Sequence, residues 1–507
     1  MASLAREFAP SAEEPVDTPK GLRVGRNALA LMAGQVVYSL LNVAAMALLG
    51  NALGPHGYGD YAFYYALIPL FASASDVGIG IIVTREVARD RSVAPRLMGD
   101  ALLAKAAVSG LLLAVVLSVA WTLLDPGRAA LVSLVAATGL IDPGQDPSIW
   151  MFRARERLHL EALLLVISQL VWLPLLGLAV LTRAGLPEFL GAATLAFAVR
   201  LTLGAIILVR RFGRPEFHPQ WARLRRLLAD GLPFGIAMFG TVLYGRIGLL
   251  MLKMLATPAD VGYFNVALML SQPLNFVANV IGIAILPIVA RDSHGAREDL
   301  RRDLVLNFKW QALTALPLSV GLFLLSRPVV AILFRGRTFE PAAAGLQLLS
   351  LGLTVMFLNL AFRYLLAALN RQRYYLRAIL WGIVVNLALC VFLVPRFGFL
   401  GACSAMLGAE VTISTICLVA LSGHVGVREQ AAAAVRPLLA ALGMGLLVAA
   451  LPGWNLVALA GLGGIVYVAL LFLLGTFSEQ ETQTFRHLGA SFGFQGAALL
   501  RRAVRRP

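Results

Sequence analysis

Long apolar runs, separated by short charged or Gly/Pro-rich breaks, fill this chain from residue 28 to residue 476. A helix needs roughly 20 mostly apolar residues to cross about 30 Å of hydrocarbon, and each such segment must close its own backbone hydrogen bonds because lipid offers no partners. The runs predict about fourteen transmembrane helices, at 28–52, 58–84, 97–123, 129–152, 158–182, 187–210, 229–253, 260–288, 304–326, 341–369, 374–395, 398–422, 434–451 and 454–476. The breaks leave no room for an inserted soluble domain. Residues 1–27 hold Pro10, Pro15, Pro19 and several charges but no apolar core, so they read as a flexible cytoplasmic tail and not as a signal peptide.

The pattern repeats. Leaving the first span the chain reads Leu53-Gly54-Pro55-His56-Gly57-Tyr58-Gly59-Asp60-Tyr61, and leaving the seventh Ala256-Thr257-Pro258-Ala259-Asp260-Val261-Gly262-Tyr263-Phe264, an offset of 203. The spans that follow end in Val87-Ala88-Arg89-Asp90 and Val289-Ala290-Arg291-Asp292. Six spans are therefore expected twice: an N-lobe at 28–210 and a C-lobe at 229–422, joined by an interfacial linker at 211–228 and followed by two further helices at 423–476 and a basic tail at 477–507. An even number of spans per repeat keeps both copies in the same orientation, which predicts pseudo-symmetry about an axis along the membrane normal and a substrate path between the lobes.

Composition agrees with the runs. Of 507 residues, 59% are hydrophobic and 14% charged, with a mean hydropathy of +0.80. That excludes a soluble domain, a disordered chain and a disulfide scaffold. The three cysteines, Cys390, Cys403 and Cys417, all lie in spans eleven and twelve and read as small apolar filler. No CxxC, HExxH, GxSxG or GxxxxGK[ST] pattern is present, so neither a metal site nor an enzyme is expected from motifs.

The charge is more informative than its rarity implies. The formal net charge is +16, carried by 39 Arg and only 4 Lys. Assigned to the two sides of the fourteen spans, with Arg210, Lys253, Lys309, Arg377 and Arg436 near span ends counted with the adjacent loops, 32 positive side chains fall with the termini and the loops after even-numbered spans, 7 with the other loops, and 4 deeper inside spans. This bias predicts that both termini are cytoplasmic. It also accounts for the basic stretches without nucleic acid. The segment 217–228 reads as an interfacial helix with Trp221, Leu224 and Leu228 on one face, and the arginines at 501–506 as an attraction to anionic lipid.

The segment LGPHGYGDYAFYYALIPLFASASDVGIGIIVTREVARDRS (53–92) resembles the span-two signature of polysaccharide flippases in the multidrug/oligosaccharidyl-lipid/polysaccharide exporter superfamily, and LFRGRTFEPAAAGLQLLSLG (333–352) resembles the family's segment leading into span ten. The resemblance covers about 28–476. It implies an all-α integral membrane protein with two six-helix lobes and a V-shaped cavity between them, in the bacterial inner membrane. The activity it implies is transfer of an undecaprenyl-diphosphate-linked oligosaccharide from the cytoplasmic to the outer leaflet by alternating access. No cofactor is implied beyond H+ or Na+ coupling, and the partners implied are the lipid-linked glycan and the polymerase or glycosyltransferases that act on it.

Ionisable groups inside spans cost several kcal/mol unless paired or hydrated, which makes them functional candidates. Arg200, near the middle of span six, and Arg246, deep in span seven, are expected to contact the substrate's diphosphate or acidic sugars, for which a planar bidentate donor is suited. The alternative is an Arg buried against a carbonyl or carboxylate of another helix. Arg363 and Lys105 complete the expected substrate set, although each lies about two turns from a boundary and snorkelling explains it equally. Asp100 is the expected partner of Lys105. Asp142 and Asp146, in the helix-breaking run Asp142-Pro143-Gly144-Gln145-Asp146-Pro147, are expected to serve as an ion-coupling site or a hinge, against a hydrated kink. Glu161 reads as an acid placed near a helix N-terminus, Asp76 as part of a close packing with Gly78 and Gly80, and Glu410 as a counter-charge for a buried Arg.

Two other classes remain. A cation-coupled multidrug exporter of the same superfamily would have a less basic cavity. A membrane glycosyltransferase or polymerase would need catalytic acids in a sizeable loop, and the loop between Asn51 and Tyr58 holds none.

Overall fold

The computed structural model describes residues 20–141, 147–218, 220–282, 297–369, 371–422, 427–451 and 453–477, with the backbone alone at 20–29, 297–300 and 427. Among these residues there are helices and no strands. In chain order they are α1 (Lys20–Asp76), α2 (Ile79–Arg89), α3 (Ala94–Leu123), α4 (Pro126–Leu140), α5 (Pro147–Ala154), α6 (Leu158–Leu181), α7 (Leu186–Phe212), α8 (Trp221–Leu255), α9 (Pro258–Ser271), α10 (Arg297–Leu333), α11 (Ala342–Ala368), α12 (Gln372–Phe397), α13 (Phe399–Leu421), α14 (Val427–Ala450) and α15 (Leu456–Leu473).

Twelve helices among the described residues are long and apolar enough to cross a membrane, against about fourteen expected spans. The difference lies in two places. The apolar stretch Ala30–Asp76 has 47 residues, which at about 1.5 Å per residue is twice a bilayer core. It holds two spans joined at Gly54, whose φ of 65° leaves the helical region. The next residue, Pro55, brings no N–H and disfavours an α conformation before it, and glycine takes the left-handed alternative without a Cβ clash. The expected span at 129–152 is met by α4 and α5, with 142–146 outside the described residues. Large apolar side chains stay exposed along the helices, Leu111 at 69%, Leu181 at 83% and Leu473 at 81%, as a lipid-facing surface requires. The protein is an all-α, multi-pass membrane protein.

Contacts divide the chain into two compact units. The first comprises Met1–Pro273, Val330–Leu349 and Leu376–Thr412, and the second Leu274–Val329, Ser350–Tyr375 and Ile413–Pro507. The repeat inferred from sequence is a different kind of division, and its linker, 211–228, falls inside the first unit.

Within the first unit the two repeat signatures meet each other. A Cβ added to Gly59 would overlap the carbonyl of Pro258, and one added to Gly262 would overlap the carbonyl of Pro55. Each residue in this reciprocal contact is 203 positions from its counterpart, so the two copies touch through the same surface. Surrounding bonds fix the register. Asn265 Nδ2 donates to the Tyr58 hydroxyl at 2.9 Å, and Lys253 Nζ to Asp60 Oδ1 at 2.5 Å. Thr257 and Asp260 cap α9 reciprocally, with Pro258 at its first turn, and Asp260 Oδ1 also accepts from the Phe399 backbone. Asn51 holds the segment after α10 by donating to Leu333 O and accepting from Arg335 N.

A second interruption separates α1 from α2, where Val77 (φ 48°) and Gly78 (φ 76°) are both left-handed. A β-branched residue there is strained. The backbone of α8 holds it in place, since a Cβ on Gly231 or Gly235 would collide with the backbone of Val77. In the second unit α14 and α15 pack on α10, with Leu313, Ala440, Met444, Tyr467 and Leu471 buried together and the Tyr467 hydroxyl donating to Leu313 O at 2.8 Å.

Candidate substrate cavity

Beyond His159 in its first turn, the polar residues of α6 lie along one stripe. Glu161, Leu165, Ser168, Gln169 and Trp172 recur at helical spacing, and all of them line one cavity of about 350 Å³ in the first unit. Opposing helices contribute in the same register: Gln35 and Tyr38, then Tyr65, Ile68 and Pro69 from α1, Phe197 and Arg200 from α7, and Arg246 from α8. Arg153, at the end of α5, completes the wall. The structure therefore brings Arg200 and Arg246 to one cavity although 46 residues separate them.

Its electrostatics are lopsided. Among the described lining residues three arginines stand with one glutamate, and that glutamate is engaged by the first of them: Arg153 donates from Nε to Glu161 Oε2 at 3.0 Å and from Nη2 to Oε1 at 2.6 Å. This fork-to-fork pair spans the turn between α5 and α6. Glu161 is 6% exposed, so its position at a helix start, the reading from sequence, is only part of its environment. Arg200 is 4% exposed in the middle of α7, and Arg246 is half-buried. Aromatic rings form the floor, with Tyr65 stacked on Trp172 at 5.9 Å and on Tyr61 at 5.5 Å. A concave, cationic wall facing aromatic rings can accept an anionic group on a partly apolar or carbohydrate body.

The other expected residues lie elsewhere. Lys105 is buried at 8% exposure and its Nζ stands 5.4 Å over the Trp150 ring, a cation–π arrangement inside the protein where snorkelling to an interface was the alternative. Asp100, expected beside Lys105, faces Arg223 Nε at 3.5 Å instead, because the linker folds back onto α3. Arg363 belongs to the second unit, where Nη2 donates to Asn279 Oδ1 at 2.7 Å and to the Tyr364 hydroxyl at 2.9 Å. Neither Lys105 nor Arg363 lines the cavity that holds Arg200 and Arg246. Glu410 accepts a hydrogen bond from Tyr244, two residues from Arg246, at 2.8 Å. Asp76 is buried at the α1–α2 break, and a Cβ on Gly80 would meet the Trp150 indole, so this glycine does serve close packing. Asp142 and Asp146 lie outside the described residues.

Arg153, Tyr65, Gln169 and Trp172 were not singled out from sequence. The signal was present for α6, where Ser168, Gln169 and Trp172 fall at i+7, i+8 and i+11 from Glu161. For Arg153 it was masked by the loop in which the residue was counted.

If the Arg153–Glu161 pair holds α5 to α6, Arg153→Ala and Glu161→Ala will each lower thermal stability, and the double variant will lose less than their sum. A coupling of about 1–2 kcal/mol is expected, because one partner is half-exposed and the other buried. Thermal unfolding of the four proteins in detergent measures it, and strict additivity would make the pair incidental.

Among the described residues, apolar helices long enough to cross a membrane surround a cavity with charged walls, the architecture that a membrane transporter requires. Residues 24–293 match the polysaccharide biosynthesis protein family, more than half of the chain. The chain belongs to that family. It is 22% identical over 409 residues, 78% of this chain and 96% of the relative, to an Escherichia coli (strain K12) protein named "Putative O-antigen transporter". Its fold is similar to that of the lipid II flippase MurJ in an inward closed conformation, with a TM-score of 0.70 at 11% identity over 88% of this chain and 97% of that one. It is also similar to an inward-facing multidrug resistance MATE family transporter of the MOP superfamily, with a TM-score of 0.63 at 15% identity over 80% and 98% of the two chains.

Proposed function

We propose that the protein flips an undecaprenyl-diphosphate-linked oligosaccharide from the cytoplasmic to the outer leaflet of the bacterial inner membrane, for cell-surface polysaccharide synthesis. The observation that carries this reading is the convergence of Arg153, Arg200 and Arg246 on one cavity, with Glu161 the carboxylate among its described lining residues. A diphosphate is the part of such a substrate that a cationic wall selects, and the sugars suit the Tyr65–Trp172 surface. Membership of the polysaccharide biosynthesis family and the O-antigen transporter relative support the same substrate class. An exporter of organic cations would need carboxylates where the described lining residues place three arginines. No step makes or breaks a covalent bond, and both termini are placed in the cytoplasm by the 32-to-7 distribution of positive charge. Glycosyltransferases that build the lipid-linked unit and a polymerase that consumes it are the functional partners.

The test is direct: full-length protein in proteoliposomes, with a fluorescent lipid-diphosphate oligosaccharide whose outer-leaflet fraction is followed by a membrane-impermeant quencher. Protein-dependent flipping of this lipid, and none of an uncharged lipid glycan, is expected. Transport of cationic drugs without flipping would overturn the reading.

Energy is drawn from H+ or Na+, with Asp142 and Asp146 as the coupling carboxylates. Asp142→Asn and Asp146→Asn should each change how the flipping rate depends on a pH or sodium gradient. An unaltered gradient dependence in both would remove these residues from coupling.

A further inference from the structure

The linker between α7 and α8 is clamped at some of its charges and left open at others. Glu216 N donates to Pro95 O at 2.9 Å, Arg96 Nε donates to Glu216 Oε2 at 3.2 Å, and the Glu216 carbonyl lies where a Cβ on Gly99 would stand. Arg223 is directed inward, toward Asp100 at 3.5 Å and His218 O at 3.3 Å. The first turns of α8 bury Leu227 and pack Leu224 and Leu228 against a core that includes Met98, Ile82 and Leu208. The segment is thus fixed to α3.

Its outward face is different in kind. Ala222, Arg225, Arg226 and Ala229 are exposed at helical spacing, and Arg210 and Arg214 are exposed beside them. Neither Arg225 nor Arg226 has a carboxylate partner among the described residues, and residues 210–226 contain six arginines against the single Glu216. Two aromatic side chains flank them: Trp221 is 77% exposed and Phe217 56%. Trp221, expected from sequence on the same face as Leu224 and Leu228, takes no part in the core that those two join. Leaving these rings in water is costly, whereas seating them at the level of lipid headgroups, with guanidinium groups alongside, uses both parts of each side chain.

We propose that this rigid patch, Phe217, Trp221, Arg225 and Arg226 with Arg210 and Arg214, is a docking site for anionic phospholipid headgroups. The charge match selects the occupant: only an anionic surface complements unpaired arginines framed by exposed aromatics. The site lies between α7 and α8, the helices that carry Arg200 and Arg246, so its occupancy bears on the helices that shape the cavity. It is independent of what the cavity transports.

Full-length protein in phosphatidylcholine nanodiscs, titrated with brominated phosphatidylglycerol, tests this. The readout is quenching of the fluorescence component that Trp221→Phe removes. Saturable quenching at low phosphatidylglycerol content, weakened by salt, is expected. The variant Arg225→Gln/Arg226→Gln should need roughly 30-fold more phosphatidylglycerol, about fivefold for each charge near an anionic surface. The control Arg183→Gln/Arg396→Gln, which removes two exposed charges elsewhere, should leave the titration unchanged. Equal quenching by brominated phosphatidylcholine, or equal loss in the control, would overturn the proposal. So would capture of an acidic protein by this face with no lipid preference.

Discussion

Replacing Arg200 or Arg246 with Ala is expected to abolish complementation of a flippase-deficient strain while protein level stays at that of the parent. Both guanidinium groups face the cavity, and Arg200 does so from a position 4% exposed, about 20 Å from either end of α7 at 1.5 Å per residue. A buried cation that binds an anionic substrate loses about 2–5 kcal/mol when truncated, which is roughly 30-fold to several-thousand-fold in affinity or rate. Substitution by Lys separates charge from shape. A lysine keeps the point charge but not the planar fork, so an intermediate rate is expected if the diphosphate is held by two parallel bonds. Normal glycan output from both Ala variants would remove these residues from the site. Loss of output together with loss of folded protein would assign them a structural role, and the half-buried Arg246 is the position at which the two outcomes separate most cleanly.

These two arginines stood out in the sequence because a charge in the middle of a 20-residue apolar run must be paired, hydrated or bound, and cannot be explained by snorkelling to an interface. The same physics made the spans and the repeat legible: hydrocarbon thickness fixes run length, and the pattern Pro…Gly recurs where each copy turns. Arg153 was not legible. It stands at a span edge, where a positive charge is already explained by topology, and its partner Glu161 is eight residues away across a turn, outside any helical period. The break at Val77 was hidden for another reason. Nothing local favours a left-handed valine; it is imposed by the backbone of α8 at Gly231 and Gly235, more than 150 residues later. The difference between exposed Trp221 and the core-joining Leu224 and Leu228 beside it was not legible, because a helical wheel separates apolar from charged residues and does not tell a core-facing side chain from an interfacial one.

The contact between repeat signatures leads to the second large effect. At Gly59 and Gly262 the obstacle to a side chain is main chain, the carbonyls of Pro258 and Pro55, so a rotamer change cannot relieve it. Overpacking in a well-filled site costs about 1–3 kcal/mol, and an obstacle made of backbone belongs at the upper end of that range or above it. Gly59→Leu and Gly262→Leu should therefore each lower the thermal midpoint of the purified protein by several degrees and depress flipping. The double variant should lose less than the sum of the two, because the first substitution has already forced the copies apart. Gly191 and Gly240, also helical but with nothing within 4 Å of an added Cβ, provide the comparison. Leucine at those positions should leave the midpoint nearly unchanged, since the substitution adds helix propensity and meets no atoms. If leucine at 59 and 262 behaves like leucine at 191 and 240, the two signatures do not touch through backbone in the folded protein. If the single losses add in full, the two glycines act at separate places, and the reciprocal contact is not the element that joins the two copies.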